Sequence, residues 1–158
     1  TGDYWREAQS QIPSDHILLP FVLSSDKTTA SQHSGDQSAW PCYIKPLFVE
    51  REVCRQIHSE AIQCFTLLPI LPRPPKVSKE ELAAAQNTRL YHRCLRLAMR
   101  TLADAGRDGD IYHRANGQHY IGHPACAGCC CDHPEKCLIC AVQQNHCQVC
   151  EVSPSARG

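Results

Sequence analysis

The chain has 158 residues, a 42% hydrophobic fraction and equal basic and acidic counts of 16 each, which fits one domain with a real core. Balanced charge excludes a generally polyanion-binding surface, so any nucleic-acid contact has to come from local charge distribution. No apolar run reaches the length of a membrane span; the longest, Ile17 to Leu23, is short and interrupted by Pro20.

The opening TGDYWREAQSQIPSD is polar with two aromatics and reads as a short helix or arm. HILLPFVLSSDKTT then carries a near-continuous apolar segment, Ile17 to Leu23, which suits a central strand covered on both faces. It stops at Asp26. Ser24, Ser25 and Asp26 read as the start of a turn, or Asp26 as a strand-end carboxylate for a divalent cation, which prefers fixed oxygen ligands.

KTTASQHSGDQSAW predicts a short strand running into an exposed turn at Ser34–Gln37. PCYIKPLFV, residues 41–49, has strand composition, with Pro46 marking an edge or bulge. Val53, Ile57 and Ala61 recur at helical spacing and predict a helix from about Glu50 to Ile62. CFTLLPILP, residues 64–72, reads as another strand, ending in the stiff connector LPRPPK.

Ser78 and Glu81 have capping-box spacing, so a long helix is expected from about Lys79 to Ala105, with Gly106 as its stop. At about 100° per residue, Arg89, Arg93, Arg96 and Arg100 fall within about 60° of one another. Leu90, Cys94, Leu95, Leu97, Ala98 and Leu102 are expected opposite them. The stripe has one sign of charge, and it reads either as a solvated face or as a phosphate-facing one. GRDGDIYHRANGQHYIGHP predicts a hairpin turning at Asn116-Gly117. His113, His119 and His123 lie near it, as a polar strand face or as metal ligands.

Twelve cysteines are the compositional anomaly, and eight of them (Cys126, Cys129, Cys130, Cys131, Cys137, Cys140, Cys147 and Cys150) fall in one C-terminal stretch. A secreted disulfide scaffold would spread them along the chain; clustering favours metal. The absence of an Asn-x-Ser/Thr sequon also favours an intracellular protein, although a chain starting at Thr1 leaves a removed leader open. Cys-x-x-Cys spacing lets two thiolates reach one zinc, and Cys147 with Cys150 is the candidate pair. Cys137 and Cys140, in PEKCLICAV, read instead as buried apolar residues of a helix that Asp132 would cap. Asp132 is otherwise a second carboxylate for a site with Asp26, since two acids sharing divalent ions activate a nucleophile and stabilise a phosphoryl leaving group.

TGDYWREAQSQIPSDHILLPFVLSSDKTTAS, WPCYIKPLFVEREVCRQIHSEAIQCFTLLPILP, LYHRCLRLAMRTL and DHPEKCLICAVQQNHCQVC, in that order, resemble consecutive blocks of the fungal Plavaka transposases, which belong to the DDE transposases. The resemblance implies an α/β fold: a partial ribonuclease-H-like core over residues 1–150, a mixed sheet with flanking helices. A cysteine-rich candidate zinc segment would occupy 126–150 and a disordered tail 151–158.

It implies Asp26 as the first catalytic acid and Asp132 as the second, in an Asp-aromatic-Pro-Glu-like motif with His133 in the aromatic place. Both would hold Mg²⁺ or Mn²⁺ for DNA strand cleavage and transfer. Cys147 and Cys150 would open a zinc-binding insertion, DNA would be the partner, and the location would be nuclear or intracellular. No third acid can be assigned, and ACAGCCC before Asp132 departs from the apolar pattern of the family. The expectation is therefore an incomplete core, inactive alone. The alternative is a cysteine-rich module, zinc-binding or disulfide-stapled, without catalysis.

Overall fold

The computed structural model describes residues 2–31, 37–70, 80–143, 146–147, 149–150 and 152. Helix α1, Gly2–Ser10, opens with Asp3, whose charge suits the positive end of a helix. Gln9 ties α1 to the following segment through both ends of its amide. Its Nε2 donates to the His16 carbonyl at 2.9 Å, and its Oε1 accepts the Leu18 amide at 2.9 Å.

β1 spans Ile17–Ser25. Continuous burial was the expectation; instead Leu19, Phe21, Leu23 and Ser25 are buried while the residues between them are half-buried. The pleat sends alternate side chains to opposite faces, and only one face of β1 is fully covered.

β2 (Thr28–Ser31) and β3 (Gln37–Ala39) form a separate antiparallel ladder, pairing Thr28 with Ala39. The turn expected at Ser34–Gln37 lies outside the described residues up to Asp36, and Gln37 already belongs to β3. β4 is Pro41–Pro46.

The helix expected from Glu50 to Ile62 is a correction. Only Arg51–Cys54 forms α2, followed by one 3₁₀ turn at Ile57–Ser59. The stripe thought to drive it finds no cover, with Ile57 93% exposed and Val53 38% exposed. An isolated helix of this length is marginal without packing. Extended backbone at Gln56 and left-handed backbone at Glu60 divide the segment.

A strand follows as expected, but β5 is only Gln63–Leu67; residues 68–70 of the range expected to be strand are not, and 71–72 lie outside the described residues. The connector LPRPPK and Ser78 of the capping box lie outside the described residues. α3 runs Glu80–Asp108, through Gly106 and past the expected stop. The stop is Gly109, in the left-handed region at φ 79°, with its amide bonded to the Ala105 carbonyl at 2.9 Å. Gly106 serves packing instead, since a Cβ there would meet the Pro124 carbonyl oxygen at 2.6 Å. Leu97 is also a correction, being 68% exposed. Helical rotation places it only about 40° from Arg93, on the flank of the charged face.

β6 (Asp110–His113) and β7 (His119–Cys130) pair antiparallel, with Tyr112 opposite Tyr120. The connection holds Asn116-Gly117 as expected but is wider than two residues. Arg114 accepts from the Gly117 amide at 3.0 Å and donates to the Gln118 carbonyl at 2.7 Å, and Gly117 alone of the turn has positive φ. α4, His133–Ile139, is capped by Asp132. Of the expected tail at 151–158, only Val152 is described.

The fold is mixed α/β, with a mixed five-stranded sheet in the order β5-β4-β1-β7-β6. The residues group into two compact units. The first comprises Thr1–Leu23, Ile44–Gln63 and Met99–Gly128. Its core holds Leu19, Phe21, Leu23 and the buried His123. The second comprises Ser24–Tyr43, Cys64–Ala98 and Cys129–Gly158. Its core holds Cys42, Leu68, Tyr91 and Cys137 together with two polar residues, Ser25 and Glu135.

Candidate functional site

The second unit receives the C-terminal ends of two neighbouring strands, β1 and β7. Asp26 lies one residue beyond β1, with its side chain exposed and its carbonyl accepting from Thr28 Oγ1 at 3.3 Å. Asp132 lies two residues beyond β7, also exposed, and its Oδ1 accepts the Glu135 amide at 2.9 Å. The sequence therefore gives Asp132 a job in any case, satisfying an orphan donor of the α4 first turn. Its exposed carboxylate is open to a ligand as well.

Glu135 is the residue that sequence reasoning missed. It is only 6% exposed, and a buried carboxylate is costly unless its oxygens are bonded. Ser25 Oγ donates to Glu135 Oε2 at 2.7 Å, and Trp40 Nε1 donates to Oε1. Its place in the first turn of α4 adds the positive end of the helix. Asp-x-x-Glu spacing was visible from Asp132 to Glu135, but a capping box would turn the glutamate back to the cap. Here it turns inward instead, to partners 95 and 110 residues away.

The indole of Trp40 packs on Tyr91 with centroids 5.2 Å apart, and Leu68 donates its amide to the Trp40 carbonyl at 2.8 Å. Tyr91 is 4% exposed. Burial first, and then the Glu135 charge, push its hydroxyl well above the usual tyrosine range. His92 Nε2 bonds the Leu138 carbonyl at 2.9 Å, which can only accept, so this ring nitrogen carries the hydrogen and ties α3 to α4. The Cys131 thiol is raised by burial and then by Glu135, which keeps it protonated and a poor nucleophile or ligand.

The other expected residues are distributed as follows. Arg89, Arg93 and Arg96 are exposed on the part of α3 in this unit, and Arg100 is exposed on the part in the other. Among the described residues none of the four takes part in an ion pair. Cys147 is half-buried and its sulfur accepts the Val149 amide at 3.4 Å, while Cys150 is exposed. Cys137 is buried at 1% exposure, as read, but Cys140 is a correction: it is the C-cap just past the end of α4 and is exposed. Of the histidines near the hairpin, His113 and His119 pair across it and His123 is buried. Among the described residues no three His, Cys, Asp or Glu side chains are grouped to hold a metal, and no helix is long and apolar enough to cross a membrane.

Fold and site together define a mixed α/β protein in which two strand-end carboxylates and a buried glutamate share one unit. The family model described as Plavaka transposase matches residues 1–158, and the chain belongs to that family. Its function is accordingly transposase-derived. No curated protein and no solved structure matches the chain.

Proposed function

We propose that this chain is part of a metal-dependent DNA strand-cleavage and strand-transfer core of ribonuclease-H-like type. Asp26 and Asp132 are its metal-binding carboxylates, and the arginines of α3 contact phosphate. The observation that carries the reading is the pair of bonds through Glu135. Ser25, next to Asp26, donates to its carboxylate, and Asp132 accepts its amide.

Two carboxylates fit Mg²⁺ or Mn²⁺, which commonly keep waters and take one or two protein carboxylates together with substrate phosphates. Such an ion, when bound, polarises a phosphoryl oxygen and lowers the pKa of the attacking water or hydroxyl. Family membership supports DNA as the partner and a nuclear site of action. Zinc at Cys147 and Cys150 belongs to the same reading as a structural ion, with further ligands outside this pair.

Titrating the purified chain with Mn²⁺, followed by the electron paramagnetic resonance signal of the free ion, tests the reading. Uptake that disappears in Asp26→Asn and in Asp132→Asn is expected. A wild-type chain that takes up no Mn²⁺, with or without duplex DNA, overturns it.

A further inference from the structure

We infer that Glu135 is a positioning residue that fixes the two candidate metal-binding carboxylates relative to each other. The inference rests on the reading of Asp26 and Asp132 as ligands. The two acids lie on segments 106 positions apart in the chain (Asp26, Asp132), and each is exposed. Neither side chain is held by packing. What links the two segments is a path of bonds: Ser25 Oγ to Glu135 Oε2 at 2.7 Å, then the Glu135 amide to Asp132 Oδ1 at 2.9 Å. Trp40 fixes the second carboxylate oxygen and so sets the plane of the group.

A carboxylate is an expensive way to fill this space. Buried charged groups are often replaced by apolar residues of similar volume with no loss of stability. A glutamate with both oxygens engaged does something an apolar residue cannot, which is to set direction as well as distance. It holds the end of β1 by its side chain and the cap of α4 by its main chain. The N-cap bond also orients the Asp132 carboxylate by engaging Oδ1, and the residue is exposed. A metal site with few protein carboxylates depends on such support more than a crowded one does, because each carboxylate sets a larger share of the ion's position.

The test uses the whole chain with Glu135→Met, which keeps volume and the amide bond to Asp132 but removes both carboxylate bonds, from Ser25 and Trp40, and Glu135→Gln, whose amide oxygen retains one of them. Two readouts are taken: Mn²⁺ affinity, and amide hydrogen exchange at residues 24–27 and 132–136. The Met variant is expected to lose about tenfold or more in Mn²⁺ affinity, the usual cost of removing a group that orients a metal ligand. The Gln variant should fall between it and wild type. Exchange should quicken in both segments together while the hairpin amides from Ile111 to Tyr120 stay as in wild type.

Wild-type affinity in the folded Met variant overturns the inference, as does unchanged exchange at 24–27. If the wild-type chain takes up no Mn²⁺, the metal reading falls, and the exchange data alone decide whether Glu135 couples the segments. If the Met variant does not fold, Ser25→Ala removes one donor only and is judged by the same two readouts.

Discussion

His16 Nδ1 and His123 Nε2 lie 2.8 Å apart, with their rings stacked at 5.1 Å between centroids. His123 Nδ1 also bonds the Gly106 carbonyl at 3.0 Å. A carbonyl only accepts, so Nδ1 carries the hydrogen of His123, and its Nε2 accepts from His16. The relay joins the start of β1, the end of α3 and β7 in the first unit's core. His16→Ala should leave the buried Nε2 of His123 unsatisfied and lower stability by about 1–3 kcal/mol. Urea denaturation measures that loss, and ¹⁵N shifts of the His123 ring at neutral pH should report the Nδ1–H tautomer.

Gly109 and Gly117 share left-handed backbone, at φ 79° and 82°, yet only one is enclosed. A Cβ at Gly109 would meet Ile121 Cγ2 at 2.6 Å and His123 Nε2 at 3.0 Å, whereas Gly117 has nothing within 4 Å. Gly117→Ala should therefore cost about 1 kcal/mol, the backbone term alone. Gly109→Ala adds overpacking and should cost about 2–4 kcal/mol. Comparing their thermal midpoints checks the order, and equal losses would mean that the end of α3 relaxes away from β7.

These two glycines also show what could be read before folding. Asn116-Gly117 stands between two strand-like runs, and its hairpin was legible because the signal is local. The helix stop was misplaced by three residues because Gly106 and Gly109 look alike in sequence; Pro124, which crowds the first, and the left-handed backbone of the second distinguish them. Asp132 was legible as a cap from Asp-His-Pro-Glu. Glu135 was not, because Ser25 and Trp40 come to it through tertiary structure that no local spacing encodes. The failed helix after Glu50 has the same cause from the other side. Its apolar stripe was real, but Ile57 is left 93% exposed.

Tyr91 gives the second unit a pH dependence at its alkaline end. Burial and the Glu135 charge raise its folded pKa above the ordinary tyrosine value of about 10. Between those two pKa values the unfolded chain has lost the phenolic proton and the folded one keeps it. The unfolded state then binds fewer protons, so stability falls as pH rises. Its contribution is intact below about pH 10 and declines above it. Tyr91→Phe should flatten the decline in urea midpoints measured from pH 9 to 11; an unchanged slope would mean that other groups cause it.

Asp132 serves as cap and as candidate ligand, and two substitutions separate these roles. Asn caps about as well as Asp, so Asp132→Asn should leave the denaturation midpoint close to wild type while removing the charge a divalent ion needs. Asp132→Ala loses both and should cost about 1 kcal/mol in addition. Asp26→Asn, at an exposed position past β1, should leave stability within about 0.5 kcal/mol of wild type. Mn²⁺ uptake lost in all three, against stability lost only in the alanine variant, is the expected pattern. An asparagine variant that still takes up Mn²⁺ would remove Asp132 from the site.

The arginine face of α3 makes a prediction that salt can read. Arg89, Arg93, Arg96 and Arg100 are exposed, and with no net charge on the chain any DNA affinity must arise from such a local concentration. Each phosphate neutralised on duplex DNA contributes about −0.9 to the slope of log K against log salt. If the three arginines in the second unit each contact a phosphate, replacing them with alanine should make that slope shallower by about 2.7, with Arg100→Ala adding about 0.9. Arg107 is the control on the same helix, because its guanidinium is already engaged by Asp104 at 3.1 Å and Asp108 at 2.9 Å. Arg107→Ala should leave the slope unchanged. Fluorescence anisotropy with a labelled duplex from 50 to 200 mM salt measures all of these. A triple variant with the wild-type slope would return the stripe to an ordinary solvated face and leave DNA contact to another part of the molecule.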